Sequence, residues 1–127
     1  MSALKTAEEG REDACQASLG LDMPDVVYQT VDGQRVTLTE RRWVMHILPR
    51  HAEVTDVDVA QALTAAMRIY QHRTEPTRRL YQGPPRATGF FRGLIPTVVV
   101  EVTGPDTGTV VTAYLSSIAY RGVQRWP

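Results

Sequence analysis

Two valine-rich runs near the C-terminal end constrain the fold of this chain more than any other feature. Thr97 to Thr103 reads TVVVEVT and Thr109 to Leu115 reads TVVTAYL, with Gly104-Pro105-Asp106-Thr107-Gly108 between them. β-branched side chains fit a pleated surface, and apolar runs this continuous call for burial on both faces. The pair is therefore expected to form two central, well-buried antiparallel strands joined by that loop.

The remaining elements are arranged ahead of this pair. Val26 to Val31 is rich in strand formers, and Asp32-Gly33 separates it from Gln34 to Leu38, which predicts a hairpin. Thr39 is placed to cap a helix starting at Glu40, with Trp43, Val44 and Ile47 as its buried stripe and Pro49 as its end. Thr55-x-x-Asp58 has the form of a capping box for a second helix, with Val59, Leu63, Ala66 and Met67 at helical spacing. Ile69 to Arg73 and Arg78 to Gln82 read as strands around a turn at Glu75-Pro76-Thr77, and Ile69 to Arg73 is expected to be an exposed edge that a partner can extend. The segment from Gly83-Pro84-Pro85 to Gly93 is turn-rich. Together these predict an α+β fold: an N-terminal hairpin and two helices followed by a four-stranded antiparallel sheet. Residues 1–22 read as a polar lead-in, helical or mobile, and residues 23–127 as a single domain.

Composition excludes some classes of protein. With 43% hydrophobic and 22% charged residues, the chain has the make-up of a globular protein. No apolar run reaches the roughly 18–20 residues that span a bilayer, so no membrane role is expected. The first ten residues contain no apolar stretch of signal-peptide type. Cys15 is the one cysteine, which leaves no internal disulfide and no cysteine-based zinc cage.

Net charge is zero, but its distribution is not even. Residues 1–40 carry three basic and eight acidic residues, whereas residues 41–127 carry eleven basic and six acidic residues, and all eleven are arginine. A guanidinium is a planar fork of donors matched to phosphate. An arginine-rich codon usage would give the same count, and most single arginines serve only as solvated surface.

His46 and His51 are the most conspicuous chemical groups. Five positions on a helix offset two side chains by roughly 140°, and Pro49 lies between them, so they are not placed as a metal pair. No metal and no cofactor is expected. Histidine exchanges protons near neutral pH, and separate acid and base roles fit the two better. A packed core histidine is the plainer reading of His46, while His51 is expected to be exposed. RNA cleavage without a metal needs a base, an acid and cations for the phosphorane, and these histidines with Arg50, Arg78 or Arg79 supply all three. On a strand, Arg78 and Arg79 point to opposite faces. Thr112 and Tyr114 share a strand face and suit a phosphate or a base, as does Tyr81 on its own strand. For Trp43 and Trp126, core or edge packing is the simplest role.

The run Leu38-Thr39-x-x-Arg42-Trp43-x-x-His46-Ile47-x-x-Arg50-His51-x-Glu53, followed by a capped helix, a tyrosine-bearing strand and Val111-Thr112-Ala113-Tyr114, resembles phage and polymorphic-toxin nucleases of the barnase, EndoU, colicin and RelE-like group. The similarity covers about Val36 to Tyr114. It implies that residues 23–127 form one nuclease domain, a toxin-type endoribonuclease that uses no metal and cuts RNA by 2′-hydroxyl attack, leaving a cyclic phosphate. It also implies catalytic roles for His46, His51, Arg50, Arg79, Thr112 and Tyr114, with Arg78, Tyr81 and Trp43 binding substrate. RNA is then the substrate, an immunity or antitoxin protein a partner, and the cytoplasm the place of action. Two other readings stay open, an inactive RNA- or protein-binding module of the same fold and an accessory protein of a phage or mobile element.

Overall fold

A computed structural model describes residues 25–127, so the lead-in expected over residues 1–22 lies outside the described residues. Seven strands form one mixed sheet: β1 (Val26–Gln29), β2 (Arg35–Leu38), β3 (Arg68–Gln71), β4 (Arg78–Gln82), β5 (Ile95–Val102), β6 (Thr107–Ser116) and β7 (Gln124–Trp126). Their order across the sheet is β1-β2-β6-β5-β4-β3-β7. The fold is α+β, but the sheet is larger than the four antiparallel strands expected. The β1–β2 ribbon joins it because β2 runs parallel to β6, with Arg35, Val36 and Thr37 opposite Thr107, Gly108 and Thr109. A parallel neighbour requires a long crossover, and the helices and β3 to β5 supply it. At the other edge β7 pairs with β3, so the edge expected at Ile69 to Arg73 is covered from within the chain.

β5 and β6 form the centre, and β5 is buried on both faces over Pro96 to Val100. One face carries Tyr81, Val98, Val100, Val110 and Ala113, which pack with Trp43, Ile47, Val59, Ala62 and Leu63 of the helical segments. The other face carries Tyr70, Leu80 and Val99, with Val111, Tyr114 and Tyr120 against them. A register shift between Val99 and Val100 sets Val99 opposite Thr112 and Val100 opposite Val110, leaving Val111 as the extra residue of a bulge.

Between β2 and β3 run two helical segments. α1 occupies residues 40–50 and has three parts, Glu40–Arg42, a wide π turn Trp43–Ile47, and a last turn Leu48–Arg50. Thr39 caps it by accepting from the Arg42 N–H at 3.1 Å. Pro49 therefore does not end the helix as expected but sits inside its last turn. In a regular helix its ring would meet the Met45 carbonyl. The wide turn lies directly ahead of it, closed by the Leu48 N–H donating to the Trp43 carbonyl. α2 is Asp56–Thr64, with the Thr55/Asp58 capping box formed. It packs on β5, and Gly83 lets β4 approach it closely: a Cβ there would stand 3.0 Å from the Gln61 backbone. No helix among the described residues is long and apolar enough to cross a membrane.

Candidate functional site

The polar groups that can act together gather where α1 ends beside the C-terminal half of β6. The wide turn keeps Trp43 and Ile47 buried while His46 stays partly exposed on the other side. Arg50, one turn later, places its Nη1 2.9 Å from His46 Nδ1. A guanidinium has donors only, so His46 Nδ1 is the acceptor and the ring proton sits on Nε2. Partial burial, then the positive charges of Arg50, Arg42 and His51, lower the pKa of His46 below the ordinary imidazole value. The ring is thereby held neutral, not packed in the core.

His51 closes α1 outside helical geometry, at φ −138° and ψ 61°, its N–H donating to the Ile47 carbonyl at 2.7 Å. That turn aims the imidazole at the sheet, where its centroid lies 5.9 Å from the ring of Tyr114 at a 41° tilt. Glu53 Oε2 is 3.8 Å from His51 Nδ1, and both side chains are about 30% exposed (31% and 29%). Tyr114 lies opposite Thr97 on β5, and Thr112 lies opposite Val99 on the same face. Burial, then Tyr120, raises the phenol pKa of Tyr114, so it remains a donor.

Tyr114 also borders a small pocket of about 180 Å³ on the outer face, with Arg73, Gln82, Ser116, Tyr120 and Arg121 among its lining. Tyr120 is fixed there by two bonds, its N–H donating 3.0 Å to Gln82 Oε1 and its hydroxyl accepting 2.8 Å from the Arg73 N–H. Arg73, Tyr120 and Arg121 escaped the sequence reading. They lie in or beside irregular segments, and only the return of residues 117–123 across the sheet brings them to Tyr114.

Other residues singled out in the sequence stand elsewhere. Tyr81 is fully buried among the helix-side core and its hydroxyl donates to Asp32 at 3.0 Å. Burial and the Asp32 carboxylate push its pKa up to about 12. It therefore has no face to offer a base. Arg79 is bound to the same Asp32 at 3.4 Å, on the opposite side of the sheet from Tyr114. Arg78 shares the outer face but pairs with Glu101 at 2.8 Å. It sits four residues along β4 from Gln82, which is level with Tyr114, a distance of about 13 Å along an extended strand. Trp43 is 9% exposed and belongs to the core. The structure thus sets Arg50 on His46 and His51 against Tyr114, with Thr112 two residues from Tyr114 on the same strand face, and places Arg78, Arg79, Tyr81 and Trp43 elsewhere.

Arg86 forms a second polar centre behind Glu53. Its guanidinium donates to both carboxylate oxygens of Asp58 and to the Glu53 carbonyl at 3.0 Å, tying the 83–94 loop to the start of α2. Burial opposes the charge on Asp58, but the bonds from Arg86 and Thr55 outweigh it and hold the carboxyl below its ordinary pKa. No group of three or more His, Cys, Asp or Glu side chains with metal-binding geometry occurs among the described residues. No protein-family model, no curated protein and no solved structure matches the chain.

Proposed function

We propose that this protein is a metal-independent endoribonuclease of the toxin type, with its centre at His46, Arg50, His51 and Tyr114. The observation that carries this reading is that the end of α1 holds two histidines in different settings, one bound by Arg50 and one beside Tyr114 and Glu53. Acid–base cleavage of RNA needs one group that takes a proton and another that gives one, and the two imidazoles stand in different settings.

When a phosphate enters, Arg50 turns from His46 to the phosphate oxygens, a better partner for a guanidinium than a neutral imidazole. The Nδ1 lone pair of His46 is then free to take the proton of the 2′-hydroxyl. The 2′-oxygen attacks phosphorus, the bond from phosphorus to the 5′-oxygen breaks, and His51 with Glu53 beside it delivers a proton to that oxygen. Tyr114 and Thr112 donate to the phosphorane or orient the ribose. The product is a 2′,3′-cyclic phosphate. Such an enzyme acts in the cytoplasm of the cell it poisons, and an acidic immunity or antitoxin protein is the natural blocker of its arginine-lined face.

A second reading is favoured by a specific observation: Arg78, Arg79 and Arg86 are each occupied by a carboxylate. Arginines already engaged by this chain's own carboxylates are not free to meet a transferring phosphate, which suits a module that holds RNA or a protein without cutting. Incubating the protein with total RNA in EDTA separates the two. Cleavage that His46→Ala and His51→Ala each abolish is expected of the nuclease, whereas intact RNA with a folded protein supports the binding module.

A further inference from the structure

The loop after β4 is organised although it contains no strand. Residues 86 and 93–94 close it with two backbone bonds, from the Arg86 N–H to the Leu94 carbonyl at 2.9 Å and from the Gly93 N–H to the Arg86 carbonyl at 2.8 Å. Gly89 and Gly93, at φ +90° and +89°, make the reversals inside it that a side chain would resist. This architecture holds Phe90 out in solvent, 94% exposed, a large aromatic group with almost none of its surface in use. Phe91 supports it edge-on, with centroids 5.0 Å apart, and Phe91 is in turn covered by the Arg86 guanidinium at 5.5 Å.

Two further features identify what such a finger meets. Of the four arginines between Pro76 and Val100, Arg78, Arg79 and Arg86 are each engaged by a carboxylate, whereas Arg92, exposed beside Phe91, forms no ion pair with a described residue. The loop is also anchored to the candidate centre, because Arg86 holds the Glu53 carbonyl and Glu53 stands 3.8 Å from His51. Next to its base, a groove of about 550 Å³ runs between the loop and α2, walled in part by Val57, Gln61, Pro84, Pro85 and Pro96.

From this geometry we infer that the 84–94 loop is a docking finger for single-stranded nucleic acid, in which Phe90 stacks on an unpaired base and Arg92 meets the adjoining phosphate. An exposed aromatic ring offers every base a stacking partner without reading its sequence, and a neighbouring guanidinium follows the backbone. The finger would hold the strand to one side of the phosphate at His51. The choice of RNA rests on the nuclease reading, and the stacking contact itself does not require cleavage.

The test is binding of a fluorescent single-stranded 2′-O-methyl oligonucleotide, which lacks the attacking hydroxyl, to wild type, Phe90→Ala, Phe90→Trp and Arg92→Ala. Phe90 touches little of the fold, so Phe90→Ala should melt with wild type. At least fivefold weaker binding is expected for Phe90→Ala, with retention and quenched emission for Phe90→Trp and little effect on a duplex of the same sequence. Equal affinity of Phe90→Ala and wild type, no binding by wild type, or an equal loss on the duplex overturns the inference. So does binding confined to anionic vesicles with a blue shift of the Phe90→Trp emission. Parallel cleavage of unmodified RNA keeps the two readings apart: cleavage with Phe90-independent binding removes the finger alone, and Phe90-dependent binding without cleavage removes the nuclease alone.

Discussion

Arg50 and His46 illustrate how a contact between two side chains fixes a chemical state. Because the guanidinium only donates, the 2.9 Å contact stabilises neutral His46 with its proton on Nε2. Lowering a histidine pKa favours the base form, so protonation of His46 should occur below the usual imidazole range. Burial is the larger cause and the Arg50 charge the second, so removing the guanidinium should relax part of this shift. In an NMR titration, Arg50→Ala is expected to move the His46 midpoint upward. An unchanged His46 midpoint would show that Arg50 does not set its state. The sequence made His46, Arg50 and His51 legible as a group because all three lie on one short segment. It could not separate Tyr81 from Tyr114, since both are tyrosines on strands. The difference is the sheet face, and Asp32, which is 49 positions from Tyr81 in the chain, claims the first of them.

Among the elements, those whose identity is written in local periodicity were the readable ones. The hairpin is matched only in outline: its strands stop at Gln29 and resume at Arg35, so residues 30–34 form the loop instead of Asp32-Gly33 alone. The valine runs of β5 and β6 and the Thr55/Asp58 box each carry their own signal. Pro49 did not, because its usual effect is to stop a helix and here a wide turn ahead of it admits the ring. β7 was missed for another reason: three residues, Gln124–Trp126, hold no alternation, and their strand conformation comes from pairing with β3. The packing of α2 on β4 offers a direct check of element-level physics. Gly83 stands against the backbone of Gln61 and Ala62, atoms that belong to a helix and cannot swing aside. Gly83→Ala is therefore expected to destabilise the fold by about 1–3 kcal/mol in urea unfolding, the usual cost of overpacking. A variant as stable as wild type would mean that α2 is free to shift on the sheet.

Across the whole molecule, two helical segments cover one face of a seven-stranded sheet, while the return of residues 117–123 shields part of the other. The sequence predicted the α+β class from the order of its segments. The parallel pairing of β2 with β6 has no local signature, because it joins residues about 70 positions apart (Arg35 opposite Thr107) and depends on the packing of everything between them. That long-range pairing is also what brings α1, which follows β2, alongside β6 and sets His51 over Tyr114. The catalytic proposal therefore stands on topology as well as on residue type. It is tested most directly with a short RNA in EDTA that contains a single ribose among 2′-deoxy nucleotides, with the products resolved by mass. Cleavage only at the 3′ side of that ribose, leaving a 2′,3′-cyclic phosphate and lost in His51→Ala, is the expected result. Cleavage that ignores the ribose, or an intact strand with folded protein across a series of ribose positions, would contradict it.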